Sequence, residues 1–154
     1  MTEPALRAHP SPVRLEHDLC ILQLPADFHT VPGLDEYQFS FESPSRKASV
    51  VLSILPVDIP PNGLQAFAEI FVLTRKAAEL EVRSNGRLDE EDSILFDDGA
   101  MAHVFYACSD DTSVSRFMGW ATDCKFVSLW VGLEGHDGEA CARLADEVFN
   151  GLRI

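Results

Sequence analysis

The loop at Glu134, His136 and Asp137 brings together three side chains that could do chemistry. Residues 132–138 read GLEGHDG between a predicted strand and a predicted helix, where phosphate-binding loops often lie. The loop lacks a Lys-Ser or Lys-Thr pair, and carboxylates at a helix start repel an anion. Three neighbouring ligands without a distant fourth also make a poor metal site. We therefore interpret Asp137 as the N-cap of the helix, and we predict no metal and no cofactor.

The other histidines and the cysteines do not form a catalytic pattern. His103 could pair with Cys108 or Cys124 as base and nucleophile, but residues on neighbouring strands meet too often to indicate catalysis. The four cysteines have no CxxC spacing, so we predict that Cys20, Cys108, Cys124 and Cys141 are buried, reduced thiols. The sequence has no G-x-S-x-G, H-E-x-x-H or P-loop motif. We predict that the protein is not an enzyme.

Composition narrows the possible partners. The chain has 154 residues, a hydrophobic content of 46% and a net charge of −13, from 25 acidic and 12 basic residues. Nucleic acids and anionic membranes need clustered Lys and Arg, so neither is expected as a partner. We expect a protein partner with an apolar helix or a basic surface.

The chain ends and its length indicate one cytoplasmic domain. Residues 1–12 contain three prolines and no apolar run of the kind found in signal peptides, which predicts a disordered tail. No apolar run approaches the roughly 20 residues that span a bilayer. Residues 13–154 then form a single domain of ordinary size.

Residues 93–133 organise the predicted fold. They form four short strands separated by tight turns and are followed by an amphipathic helix. That helix has apolar residues at Cys141, Leu144, Ala145, Val148, Phe149 and Leu152. Upstream, the pattern predicts these elements: one strand over residues 13–24, a hairpin over residues 37–55, a helix from Gly63 to about Val82 with an Asn62–Gln65 capping box, and a charged bridge over residues 87–92. The fold class is α+β, with an antiparallel sheet of six to seven strands.

Aromatic side chains at alternating strand positions supply the candidate binding residues. Two helices are not expected to cover both faces of such a sheet, and an uncovered face would bind an apolar helix. The first helix has an apolar stripe at Leu64, Phe67, Ile70, Phe71 and Ala78, and two further apolar residues lie off it. The candidates are Tyr37, Phe39, Phe41, Val72, Leu73, Tyr106, Trp120 and Trp130. Which face is open, and the strand register around Thr122, stay undecided.

The order of hairpin, helix, meander and helix resembles the PsbP-like α/β/α superfamily. Within it, residues 22–28 (LQLPADF), 46–53 (RKASVVLS) and 148–152 (VFNGL) resemble segments of bacterial Eag-type adaptor chaperones. The resemblance implies a cytosolic, dimeric chaperone for apolar N-terminal helices of type VI secretion effectors. Two alternatives remain open: an immunity-type inhibitor of a secreted toxin, which would bind through loops, and an uncharacterised non-enzymatic PsbP-like domain.

Overall fold

A computed structural model describes residues 13–32, 36–60, 62–96 and 99–154 of the chain. Across these residues the elements are β1 (Arg14–His17), β2 (Cys20–Gln23), β3 (His29–Val31), β4 (Gln38–Ser43), β5 (Ala48–Pro56), α1 (Leu64–Val82), β6 (Arg87–Phe96), β7 (Met101–Ser109), β8 (Ser113–Ala121), β9 (Lys125–Glu134), α2 (Gly138–Asn150) and β10 (Leu152–Arg153). The prediction for residues 1–12 lies outside the described part of the chain.

The main sheet has seven strands in the order β3-β4-β5-β9-β8-β7-β6, and every pair is antiparallel. The predicted fold class is therefore confirmed, with the hairpin β4–β5, the helix α1, the meander β6–β9 and the helix α2. The register between β8 and β9, which the sequence left undecided, places Trp120 opposite Val127. Because directly opposed residues point to the same face, this pairing fixes which aromatics share a side.

Residues 13–24 form a hairpin, so the prediction of one long strand was wrong. The chain turns after His17, where the Leu19 N–H donates to the His17 Nδ1 at 3.1 Å, and His17 then pairs with Cys20. The two strands and β10 make a separate three-stranded sheet. Alternating apolar residues occur in a hairpin as well as in one strand, which is why the pattern did not reveal the turn.

Residues 87–92 belong to the edge strand β6, which corrects the predicted charged bridge. The pairing of β6 with β7 shifts between Leu88 and Glu90, as expected for a β-bulge. Exposed acidic side chains on an edge strand oppose pairing with another chain. Three of them form ion pairs within the chain: Glu90 with Arg116 at 2.7 Å, Glu91 with Lys76, and Asp89 with Arg87 at 3.9 Å.

The N-terminal cap of α1 differs from the predicted one. Its bounds agree with the sequence pattern, but the N-cap is Gly63 and no side chain bonds to the first turn. The Asn62–Gln65 capping box is therefore absent, and the Gly63 N–H instead donates to the Pro60 carbonyl at 2.9 Å. Asn85 has a φ of 60°, the left-handed conformation expected after the helix.

The helix α2 follows the predicted pattern as far as Asn150, but Leu152, assigned to its apolar stripe, lies in β10. The Asp137 carboxylate accepts a hydrogen bond from the Ala140 N–H at 3.0 Å, which confirms it as the N-cap. The buried residues of the helix are Cys141, Leu144, Ala145 and Val148. A single apolar stripe therefore fixes how this helix lies on the sheet.

Cys20, Cys108 and Cys141 are buried free thiols, as predicted, whereas Cys124 is exposed, which the sequence pattern missed. Burial raises the pKa of the Cys108 thiol to about 12 and that of the Cys141 thiol to about 11. Among the described residues, neither helix combines the length and apolarity needed to cross a bilayer.

Candidate functional site

The two faces of the main sheet are covered to different extents. On one face, α2 packs on β8 and β9, and the same core includes Leu22 of the small sheet and Leu24 and Phe28 from the segment that follows β2. On the other face, α1 has its main contacts with β6, β7 and β8. We call these the closed face and the half-open face.

The strand β5 shows the difference directly. Val50, Leu52 and Ile54 point to the closed face and are 0% exposed. Val51, between them, points to the half-open face opposite Trp130, and both of these side chains are only partly buried. The half-open face therefore keeps a partly accessible strip over β9 and β5, beside α1.

A groove of about 450 Å³ runs along α1 on the half-open face. Its lining residues are Phe67, Ile70, Phe71, Thr74, Arg75 and Ala78. Ile70 is 65% exposed, and Leu73, one turn further along, is 59% exposed. The Thr74 hydroxyl donates to the Ile70 carbonyl at 3.0 Å, so its bonding potential is met within the helix. We call this feature the α1 groove.

The inner wall of the α1 groove is aromatic. The ring of Phe71 lies 4.3 Å from that of Phe126 on β9, and the ring of Phe67 lies 5.6 Å from it in an edge-on arrangement. The guanidinium of Arg75 lies 5.5 Å from the ring centroid of Phe117 on β8. These contacts anchor Phe67, Phe71 and Arg75 against the core, and all three side chains stay partly exposed.

The apolar stripe predicted for α1 lies on a different side of the helix from the residues that are buried in the structure. The buried residues are Leu64, Ala68 and Val72, whereas Ile70, assigned to the inner stripe, is exposed. Val72, assigned to the outside, lies in the core with Tyr106. A helix that is apolar on several sides gives no clear stripe, so the pattern could not determine which side faces the sheet.

A buried polar network ties the last turn of α1 to the sheet. The Glu79 carboxylate accepts hydrogen bonds from the Tyr106 hydroxyl at 2.6 Å, the Trp130 indole at 3.1 Å and the Ser115 hydroxyl. Arg83, four residues on, forms an ion pair with Glu79 at 3.1 Å. These contacts join α1 to β7, β8 and β9 at once. We call the group the Glu79 network.

Arg83 extends the Glu79 network to the turn before β8. It forms an ion pair with Asp110 at 3.0 Å and donates to the hydroxyls of Ser113 and Ser115 at 2.8 and 2.7 Å. The Asp110 carboxylate also accepts from the N–H groups of Thr112 and Ser113 at 2.8 and 2.9 Å. The side chains of Arg83 and Asp110 are 7% and 6% exposed. The charges are thus buried and fully paired.

The electrostatics of the network favour fixed charges. Burial raises the pKa of Glu79, but the hydrogen bonds from Ser115, Tyr106 and Trp130 and the charge of Arg83 lower it further, to below its ordinary value. The backbone N–H of Thr112 is the main cause that lowers the pKa of Asp110. Burial and the bond to Glu79 raise the pKa of Tyr106. Such groups hold their protons or charges firmly, which suits an anchor better than proton transfer.

Trp130 links the Glu79 network to the partly accessible strip. Its indole lies over Gly132, where an added Cβ would stand 2.2 Å from the ring Cη2. Glycine at this position therefore lets the ring lie flat along β9 while its Nε1 reaches Glu79. Trp130 also lines a second hollow, of about 410 Å³, with Ser49 and Ser113.

Comparison with known proteins gives the fold its name. No protein-family model matches the sequence, and no curated protein matches it. The solution structure of cyanobacterial PsbP (CyanoP) from Synechocystis sp. PCC 6803 superposes with a TM-score of 0.64, at 14% identity, over 94% of this chain and 92% of that one. The fold is PsbP-like. This likeness, at such low identity, shows the fold alone.

A second structural neighbour is a larger protein. A crystal structure from Bacteroides thetaiotaomicron VPI-5482 matches with a TM-score of 0.53 at 12% identity, over 94% of this chain. The match covers 48% of that protein, so this chain spans about half its length.

The PsbP-like fold separates the eight predicted binding residues into three groups. Phe41, Val72, Tyr106 and Trp120 are buried, between 0% and 5% exposed, so they are core rather than contact residues. Phe39 and Tyr37 lie at the start of the hairpin, where Phe39 packs on the closed-face core and Tyr37 is 40% exposed. Leu73 and Trp130 lie on the half-open face, and we keep these two as candidate contacts.

The loop that contains Glu134, His136 and Asp137 has a structural role in the described fold. Asp137 caps α2, and the Gly135 N–H donates to the Thr112 carbonyl at 2.8 Å, with a φ of 99° at Gly135. Within the described residues, no three His, Cys, Asp or Glu side chains are grouped closely enough to hold a metal ion.

Sequence reasoning missed the Glu79 network. The spacing of Glu79 and Arg83 is a visible signal, since residues four apart on a helix often pair. That signal usually marks a solvent-exposed pair, and here it marks a buried one. Only the partners on three strands, far apart in sequence, reveal the difference.

Proposed function

We propose that this chain is a non-enzymatic protein-binding domain that receives an apolar helix of a partner protein in the α1 groove. The exposure of Ile70 and Leu73 on a helix that is firmly packed along its other side is the observation that carries the proposal. A contiguous exposed apolar patch on a domain surface often marks a protein-binding site.

The shape of the α1 groove suits a helix better than a small molecule. Its lining comes from one helix of 19 residues, about 28 Å long, and it is open along its length. Small-molecule sites usually enclose most of their ligand. A partner helix can instead lie along α1, and Thr74 and Ala78 are small enough for the two backbones to approach closely.

The Glu79 network supports binding by fixing the position of α1. Buried, paired charges hold the last turn against three strands, so α1 does not depend on its outer apolar residues for attachment. A surface that is already rigid loses less conformational entropy when a partner binds. The arrangement therefore favours a preformed docking surface.

At a finer level, we propose an adaptor chaperone in the cytoplasm whose client is the apolar N-terminal helix of a type VI secretion effector. Support comes from the sequence resemblance in three segments and from an open apolar surface of the right kind. An immunity-type inhibitor would contact its toxin through loops, which gives the two functions different contact residues.

Photo-crosslinking can test the proposal. A photoreactive phenylalanine analogue would replace Ile70, Leu73 or, as a control, the exposed Ile154 in the native host. We expect one major partner from positions 70 and 73 and none from position 154. The purified partner should then bind the wild type but not the Ile70→Asp/Leu73→Asp variant, while Ile154→Asp binds normally. Equal crosslinking at all three positions, or normal binding by the double variant, would sink the proposal.

A further inference from the structure

Among the residues that the structure describes, Arg75 is the one charged side chain that lines the α1 groove. Its guanidinium lies over the Phe117 ring, and it has no hydrogen bond or ion pair with any other described residue. The neighbouring cation Lys76 differs, because it is paired with Glu91 on β6. Arg75 thus offers N–H groups in an apolar setting without an anion to receive them.

Stacking on an aromatic ring leaves the edge of a guanidinium free. An arginine donates in the plane of the group, while its face contacts the ring. The packing of Arg75 on Phe117 therefore fixes the side chain without using its donors. Exclusion of water by a bound partner would strengthen a bond from these donors to a carboxylate.

The positive charge of Arg75 in the α1 groove is opposite in sign to the net charge of the whole chain. A net charge of −13 favours basic partners at long range. Contacts inside a groove depend instead on the charged groups that line it. The nearby acidic residue of α1, Glu69, does not line the groove, and its carboxylate accepts a hydrogen bond from Gln65 at 2.9 Å. A lysine in the partner would face Arg75 and be disfavoured.

We infer that the helix received by the α1 groove carries an Asp or Glu beside its apolar stripe, and that Arg75 selects it. This inference rests on the proposed function and adds the chemical class of the partner. The apolar residues of the partner cover Phe67, Ile70 and Phe71, and its carboxylate accepts hydrogen bonds from Arg75. Arg75 is then a specificity residue, and Ile70 supplies affinity.

A displayed library of helical peptides can test the inference. Each peptide has 18 residues, a fixed leucine stripe, and flanking positions that vary only among Glu, Gln and Lys, which have similar helix propensities. The library is selected on the full-length wild type and on Arg75→Gln, Arg75→Glu and Arg143→Glu. Arg143 is exposed on α2, so its variant repeats the charge change away from the groove.

We expect the wild type and Arg143→Glu to enrich Glu over Gln about fivefold at one flank, the effect of an ion pair worth about 1 kcal/mol. Arg75→Gln should lose the preference, and Arg75→Glu should reverse it towards Lys. Enriched leucine-stripe peptides without a charge preference would overturn the inference and leave the proposed function standing. No enrichment of any peptide on the folded wild type would overturn both.

Discussion

The two helices attach to the same sheet by different physical means. The helix α2 has one clean apolar stripe, and its four buried residues lock it onto the closed face. The helix α1 buries Leu64, Ala68 and Val72 and adds the Glu79 network at its C-terminal end. Charged anchors inside the fold are costly to form, yet they give α1 a fixed position that its outer apolar residues do not have to supply.

The difference between the helices explains why we propose the docking surface on the half-open face. On the closed face, the stripe of α2 is mostly buried, and the one exposed member, Phe149, stacks on Trp120. On the half-open face, Ile70 and Leu73 are left over, and Arg75 is left unpaired within the described part of the chain. Substitutions on the two faces should therefore differ in a graded way.

The largest effect is expected from Arg83→Met. The substitution leaves the buried carboxylates of Glu79 and Asp110 without their shared cation, so it should lower the free energy of unfolding by about 3–5 kcal/mol. Arg46→Met is the control, because Arg46 bonds Asp27 and Glu147 at 2.6 and 3.0 Å but is 35% exposed. Arg46→Met should lower the free energy of unfolding by about 1 kcal/mol or less. Urea unfolding measures both, and equal losses would contradict the anchoring role.

A second pair of substitutions, at neighbouring residues of β5, compares the closed face of the sheet with the half-open face. Val50→Ala removes two methyl groups from the closed-face core and should cost about 2–3 kcal/mol. Val51→Ala, the same change at the next residue, should cost about 1 kcal/mol, mainly through lower β-propensity. Urea unfolding again gives the comparison. A larger loss at Val51 would show that the half-open face is the better packed one.

The sequence predicted the helix of the closed face more fully than the helix of the half-open face. Period-two alternation located the meander and the hairpin, and the stripe of α2 fixed the side of that helix that is buried, because each signal is local. The α+β class and the order of elements followed from these signals. Asp137 could be assigned as a cap for the same reason: its partner, Ala140, is three residues away.

The half-open face depends on contacts between residues far apart in the chain. Glu79 meets Trp130 across 51 positions, and Arg83 meets Ser115 across 32. No local pattern specifies such pairs. The same limit explains why Val72 was placed outside and Ile70 inside: when a helix is apolar all round, the strands beneath it decide the buried side.

Acid should weaken the attachment of α1. The folded pKa values of Glu79 and Asp110 lie below their ordinary values of 4.5 and 3.8, so the stability that these carboxylates contribute is complete above about pH 5 and is lost as the pH falls. Wild type should therefore lose stability between about pH 5 and pH 3, and its advantage over Glu79→Gln should shrink over that range. Urea unfolding at several pH values measures the difference. An advantage that is constant with pH would contradict the assignment of Glu79 as a buried charge.

The smallest effect is expected from Ile70→Asp/Leu73→Asp. Both side chains are more than half exposed, at 65% and 59%, and each substitution lowers helix propensity by only a few tenths of a kcal/mol. The free energy of unfolding should stay within about 1 kcal/mol of the wild type, because a single surface substitution rarely changes it by more than about 0.5 kcal/mol. Thermal and urea unfolding check this, with Val72→Asp as the buried contrast that should prevent stable folding. If the double variant is strongly destabilised, Ile70 and Leu73 stabilise the fold, and they are not available to bind a partner.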